Sequence, residues 1–394
     1  MSYKFTRVRV GTAIGACAAA LAIGACGGSS SSSGSNAGKT TSKTTPNSTT
    51  STGGSSSSDF APAIAANTKF EKRPTSIGLT TPVGDTIPTG KTIDFIQGGV
   101  PADAVEGDIL ADAANQLGWK LDKINAGLTP QSTVAAYQQA IQNKPDAVIG
   151  SGSPRVLFNP EIKTLKSMGI PVLEAFVSDT TGNGIYVVGG PTLNQIQGQE
   201  MADYMLSNTT DKSATLGSVI PSGFTNMAQE NTAFTNQVKQ ICSGCSVKEL
   251  SVPVTSIGTD LPTRTTTFLT ANPNIKSVWM GYDDMVAGMP VALKGASISG
   301  VSLTTISMDG TVSDAIHNGD VTAGIGTSFP EMYWREIDLL ARMFTHKSYA
   351  ADLDDSTLPY WTITKANLPS NASSTTFANV VDYQQQFDKL WGVK

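Results

Sequence analysis

From Thr92 onward, short apolar runs rich in Val and Ile alternate with longer stretches in which apolar residues recur at helical spacing. Ten runs read as strands: 92–97, 119–124, 146–150, 170–175, 185–189, 215–220, 246–250, 275–280, 303–307 and 322–326. Helices are expected over 104–117, 131–142, 194–206, 225–241, 284–293 and 331–344, with Gly118 and the run His317-Asn318-Gly319 as helix stops. This alternation is the pattern of an α/β chain, with parallel sheets covered by helices on both faces. About 300 residues of such units exceed one comfortable core, so two lobes are expected. Ligands of parallel sheets sit beyond the carboxyl ends of the strands. The residues that follow each strand are therefore the informative ones.

Ahead of this body the pattern changes. Lys4, Arg7 and Arg9 precede a small, apolar stretch that ends in Leu21-Ala22-Ile23-Gly24-Ala25-Cys26. The order is that of a signal peptide, too short to span a bilayer permanently. Its end resembles the lipobox of bacterial lipoproteins, in which cleavage precedes a cysteine that carries diacylglycerol and, after trimming, an acyl chain such as palmitate. The resemblance implies a signal peptide over 1–25 and lipid attachment at Cys26; a plain secretory signal with an incidental cysteine is the alternative. Residues 26–59, nearly all Ser, Thr and Gly with Asn and Lys, cannot bury enough apolar surface to offset ordering entropy. They read as a tether with a root-mean-square span of roughly 30 Å. A lead-in segment follows over 60–90.

Charge narrows the function. The chain carries 27 basic and 32 acidic residues, a formal net charge of −5, and loss of the three basic residues in 1–25 would take it to −8. No Lys/Arg cluster lies along an expected helix, so nucleic acid is not a partner. Two of the four cysteines remain for the body, Cys242 and Cys245. At a helix-to-strand turn of an exported chain they read as a local disulfide, with a redox pair as the alternative. Only two histidines are present, His317 and His346, both at expected helix ends. With no nucleophile elbow, phosphate loop or histidine-rich set, neither catalysis, a metal site nor a cofactor is expected.

Two segments carry a resemblance: Met280-Gly281-Tyr282-Asp283-Asp284-Met285-Val286-Ala287-Gly288 and Ser307-Met308-Asp309-Gly310-Thr311. They resemble strand-to-helix turns of the type I periplasmic binding proteins, the ribose-binding group of ABC-importer receptors, which share their core with the lactose-repressor family. KPDAVIG, MGIPVLEA and FPEMYWREIDLLAR extend the likeness from Lys91 to about His346, and the 74–108 stretch is similar to the lead-in of actinobacterial sugar-receptor lipoproteins. The resemblance implies two Rossmann-like lobes with parallel sheets joined by three crossovers, with lobe one over 90–191 and 329–357 and lobe two over 192–328 and 358–394. It also implies a monomeric receptor, tethered to the cell membrane, that binds a small-molecule solute, a carbohydrate first, and meets ABC permease subunits.

Carried over residue by residue, the candidate ligand contacts are Gln97 after the first strand, Ser153 and Arg155 after the third, and Asp309 in the second segment. The null alternatives are a turn residue for Gln97, a salt bridge for Arg155 and a helix cap for Asp309. Departures from the family pattern matter as much. Phe176-Val177 stands where ribose-type receptors carry an Asp-Arg pair, Tyr282 where they carry Asn, and Ser328 where they carry Gln; Asn226 lies near a ligand-binding arginine position that is Ala228 here. Phe176, Tyr282, Phe329 and Trp334 offer ring faces. The mouth is therefore less sugar-like than that of the family. A receptor for an aromatic or cyclitol solute, and a sensor that presents its closed form to a membrane signalling partner, are the alternatives.

Overall fold

A computed structural model describes residues 60–306, 310–372 and 377–393. The first half builds a parallel five-stranded sheet from β1 (Thr92–Gln97), β2 (Lys120–Asn125), β3 (Ala147–Ser151), β4 (Val172–Ala175) and β5 (Ile185–Val188), in the order β2-β1-β3-β4-β5. The helices up to this point are α1 (Ala61–Asn67), α2 (Pro101–Gln116), α3 (Pro130–Asn143) and α4 (Asn159–Ser167). The second half builds a six-stranded sheet from β6 (Thr215–Ser222), β7 (Ser246–Pro253), β8 (Ile275–Tyr282), β9 (Ser302–Ile306), β10 (Ala323–Gly326) and β11 (Trp361–Thr364), in the order β11-β10-β9-β8-β6-β7. Only β11 runs antiparallel to its neighbour. The remaining helices are α5 (Pro191–Ser207), α6 (Thr225–Ile241), α7 (Leu261–Ala271), α8 (Met289–Gly295), α9 (Ser313–Asn318), α10 (Phe329–Phe344) and α11 (Tyr383–Trp391).

The central strands are buried on both faces, which is why β1, β3 and β4 read as continuous apolar runs. All ten strands read from the sequence are present, with ends moved by a few residues. Helices α2, α3 and α5 begin at Pro101, Pro130 and Pro191, earlier than expected, because proline at the first helical position lacks only an N–H that had no partner there. The helix expected over 284–293 is corrected. Asp283–Val286 forms a 3-10 turn, Gly288 takes φ +76°, and α8 starts afresh at Met289. Pro290 cannot donate the backbone bond that a continuous helix would need there. The Cys242–Cys245 disulfide closes the turn between α6 and β7.

The chain passes between the sheets after β5, returns after β10 as α10 packs on α2, and crosses back to β11. The tail then crosses once more, since α11 lies on α10 rather than beside the second sheet. Trp391 stacks on Trp334, ring centroids 5.3 Å apart, and its Nε1 donates to Asp338 Oδ1 at 2.7 Å. The lead-in closes the same helix: Arg335 donates to the Ile77 carbonyl at 2.8 Å, and Val83 N donates to the Leu390 carbonyl at 2.8 Å. Helix α10 is thereby buried from Phe329 to Arg342, charges included. Arg342 is paired, with Nε 2.7 Å from Asp338 and 3.3 Å from Asp352, whereas Glu336 is buried with neither carboxyl oxygen partnered, and burial pushes it well above the ordinary carboxylate range.

Candidate functional site

A cleft of about 1020 Å³, solvent in its mouth included, lies where the carboxyl ends of the two sheets face each other. Its walls are the turns after β1, β2, β3 and β4 with the start of α2 on one side, and the β6–α6 turn with Tyr282 at the end of β8 on the other.

The first wall begins at Gly98-Gly99. A Cβ on Gly98 would stand 2.7 Å from Asp103 Oδ2, so glycine leaves the room in which that carboxylate folds back to accept Val100 N at 2.7 Å. Asp103 and Glu106, three residues apart, share one face of α2 and line the cleft. Burial pushes the Asp103 carboxyl up to about 6, against the backbone N–H groups of Val100 and Gly98. Burial first, and the Asp103 charge second, push Glu106 up to about 8, although the Tyr333 and Ser151 hydroxyls hydrogen-bond to it. Glu106 Oε2 is buried and has no hydrogen-bond partner.

The second wall depends on an irregularity. The register of β8 against β9 shifts between Met280 and Tyr282, the kind of local kink that re-aims a side chain. Gly281 sits at that point, where a Cβ would be 2.7 Å from Met285 Sδ. Tyr282 is turned into the cleft with its hydroxyl buried and without a partner, as is Asn226 Oδ1 in the first turn of α6. Burial, then the Asp284 charge, raises the Tyr282 hydroxyl far above its ordinary value. The walls touch where Ala102 N donates to Asp284 Oδ2 at 3.2 Å.

Rings cover the floor and roof. Phe176 meets Phe329 edge-on at 5.4 Å and Tyr333 at 6.1 Å, while Phe224 meets Tyr282 at 6.2 Å. Phe176 holds φ +50°, a conformation rare for a bulky residue and one that the surrounding packing must impose.

Of the residues expected from the sequence, Ser153, Phe176, Asn226, Tyr282 and Phe329 come together on this lining. Gln97, Arg155 and Ser328 are not on it. Gln97 is half-buried at the end of β1. Arg155 turns to Asp179, with Nε 3.5 Å from Oδ1 and its backbone N donating to Oδ2 at 3.0 Å, the salt-bridge alternative for that residue. The Ser328 hydroxyl donates to Glu331 and accepts Asn379 N at 3.1 Å. Trp334 serves the α10–α11 core. Asp309 and Cys26, the signal segment and the tether lie outside the described residues. Sequence reasoning missed Asp103, Glu106, Phe224 and Met227. Two acids at helical spacing just after the first strand were the available signal for the first pair. Among the described residues, no group of three or more His, Cys, Asp or Glu is placed to hold a metal ion, and no helix is long and apolar enough to cross a membrane.

Two parallel α/β lobes around a cleft lined by rings and a few buried polar atoms define a binding protein. The chain belongs to the periplasmic binding protein domain family, which it matches over residues 87–348. No curated protein matches it. Solved structures similar to it include an ABC sugar transporter subunit from Rhodobacter sphaeroides, with 18% identity, TM-score 0.59, and coverage of 71% of this chain and 99% of that one. An ABC transporter solute binding protein from Agrobacterium vitis with bound allitol matches with 20% identity, TM-score 0.58, and coverage of 70% and 96%. A 5-methylthioribose transporter solute binding protein from Thermotoga lettingae, in complex with 5-methylthioribose, matches with 16% identity, TM-score 0.62, and coverage of 79% and 95%. At these identities the likeness establishes the fold. The family and these neighbours are solute receptors, not enzymes.

Proposed function

We propose that the chain is a lipid-anchored extracytoplasmic receptor that captures one small sugar-like solute between its lobes and delivers it to an ABC importer. The observation that carries this is the cleft itself: Glu106 Oε2, Tyr282 OH and Asn226 Oδ1 are buried, lack protein partners, and border a space large enough for a small solute. A buried polar atom without a partner costs about 1–3 kcal/mol, so three around one cleft point to a ligand that satisfies them. The allitol and 5-methylthioribose bound by two of the neighbours support the solute class. The anchor rests on Cys26 and its preceding residues, and the lobe limits on the crossovers: 90–191 with 329–357 for one lobe and 192–328 with β11 for the other, α11 returning to α10 of the first.

Native mass spectrometry of protein purified from its own membrane should find one bound solute per chain. Saturation at 100 times Kd should stabilise the fold by about 2.7 kcal/mol. A chain that never carries a solute and whose melting no sugar, polyol or nucleoside shifts would refute the receptor reading. For the anchor, Cys26→Ala should move the protein from the membrane fraction to the medium; retention of that variant at the membrane would exclude a lipid on Cys26.

A further inference from the structure

The chemistry around the cleft is one-sided. Its described lining contains two carboxyl groups, Asp103 and Glu106, and no lysine, arginine or histidine. The charged and titratable groups that face Glu106 are Asp103 on its own helix, Tyr333 and Glu336 on α10, and Asp284 from across the cleft. Every charged one among them is acidic. The partnerless buried atoms lean the same way: Glu106 Oε2 and Asn226 Oδ1 are acceptors, and Tyr282 OH can accept or donate. Four rings, Phe176, Phe224, Tyr282 and Phe329, border the same space.

On these observations, and resting on the receptor reading, we infer that the cleft selects a solute bearing an ammonium group on a ring, an amino sugar or amino cyclitol. The nitrogen sits at Glu106 and Asp103, with the ring between the aromatic faces. An ammonium offers three donors and no acceptor, the complement of an acceptor-rich pocket. Its charge offsets the burial of the two carboxyls, which have hydrogen-bond donors in Val100, Gly98, Tyr333 and Ser151 but only acids among the charged groups nearby. Rings attract a desolvated cation through their negative faces. A carboxylate or phosphate ligand would find no cationic side chain on the described lining and two carboxyl groups beside it.

Calorimetric titration at pH 7 with matched probes separates the outcomes: a 2-amino-2-deoxyhexose and an amino cyclitol, the parent hexose and cyclitol, and the N-acetyl derivative of the amine. The amine should bind at least tenfold tighter than its neutral parent and its N-acetyl form. Paired titrations in buffers of different ionisation enthalpy should show protons released on binding, as the cation drives Glu106 to ionise. Glu106→Gln should erase the preference, weakening amine binding at least tenfold more than it weakens binding of the neutral parent. Neutral parents that bind as tightly as the amine, an anionic co-purifying solute, or amine binding without proton release would each overturn the inference and leave the receptor standing. Failure of every solute to bind refutes the receptor reading itself. Should Glu106→Gln not fold, proton release by the unaltered protein still decides.

Discussion

Tyr282 and Glu106 are residues whose environment suits a ligand better than it suits the empty fold. The Tyr282 hydroxyl is buried without a partner, so Tyr282→Phe should raise the melting midpoint of the ligand-free protein by roughly 1 kcal/mol of stability while weakening the co-purifying solute several-fold. Thermal melts with and without solute test both halves. Phe176→Ala removes a ring that meets both Phe329 and Tyr333, and should lower stability by about 3–5 kcal/mol and impair binding. At this scale the sequence was informative where chemistry follows a strand directly, as at Ser153, Phe176 and Tyr282. Arg155 and Ser328 lie off the lining, because a polar residue near the right turn can spend its hydrogen bonds on a neighbour, here Asp179, the salt-bridge reading of Arg155, and Glu331. Nothing local distinguishes the two cases.

Among the elements, α10 depends most on the rest of the chain. Its charges and rings are covered by α11 and by the lead-in, through contacts such as Trp391–Asp338, 53 residues apart in sequence, and Arg335–Ile77, 258 apart. Trp391→Ala should cost about 3–5 kcal/mol through the cavity it leaves, and it removes the donor to Asp338 Oδ1 while the Arg342 pair at Oδ2 remains; a urea unfolding midpoint measures it. Gly78 holds φ +80°, and a Cβ there would lie 1.9 Å from the Thr357 carbonyl oxygen. Gly78→Ala should therefore cost about 2 kcal/mol or more, the sum of a left-handed backbone and a forced shift. Strand positions were legible because burial on both faces writes an apolar run into the sequence. The break at Gly288-Met289-Pro290 was missed because a helical period continued through a proline that ends it.

For the whole molecule, buried carboxyls set the response to pH. Burial pushes Glu106, Glu174 and Glu200 up to about 8 and Glu331 up to about 7, from an ordinary 4.5. The folded state therefore holds these protons more tightly than the unfolded chain, and between pH 5 and 8 it binds more of them. The sign follows: stability falls as pH rises through this window, by at most about 1.4 kcal/mol per pH unit for each group. The melting temperature of the ligand-free protein should be higher at pH 5.5 than at pH 8.5. Glu106→Gln should flatten part of that slope. A cationic solute should raise melting more at pH 8.5, where Glu106 ionises, than at pH 5.5.

Two lobes, parallel sheets and the end of each sheet where a ligand belongs were determined by the sequence, because period and strand-to-helix alternation are local properties of the chain. The rings expected from the sequence at Phe176 and Tyr282 do border the cleft. Tertiary structure alone decided which polar groups face the cleft and which face each other. The turn at Gly98-Gly99 swings α2 so that Asp103 and Glu106 look at Tyr282, the register shift in β8 aims that ring, and the folded-back tail buries α10. These are properties of packing between segments far apart in sequence, and a hydrogen bond or a charge acquires its meaning only from what is placed opposite it.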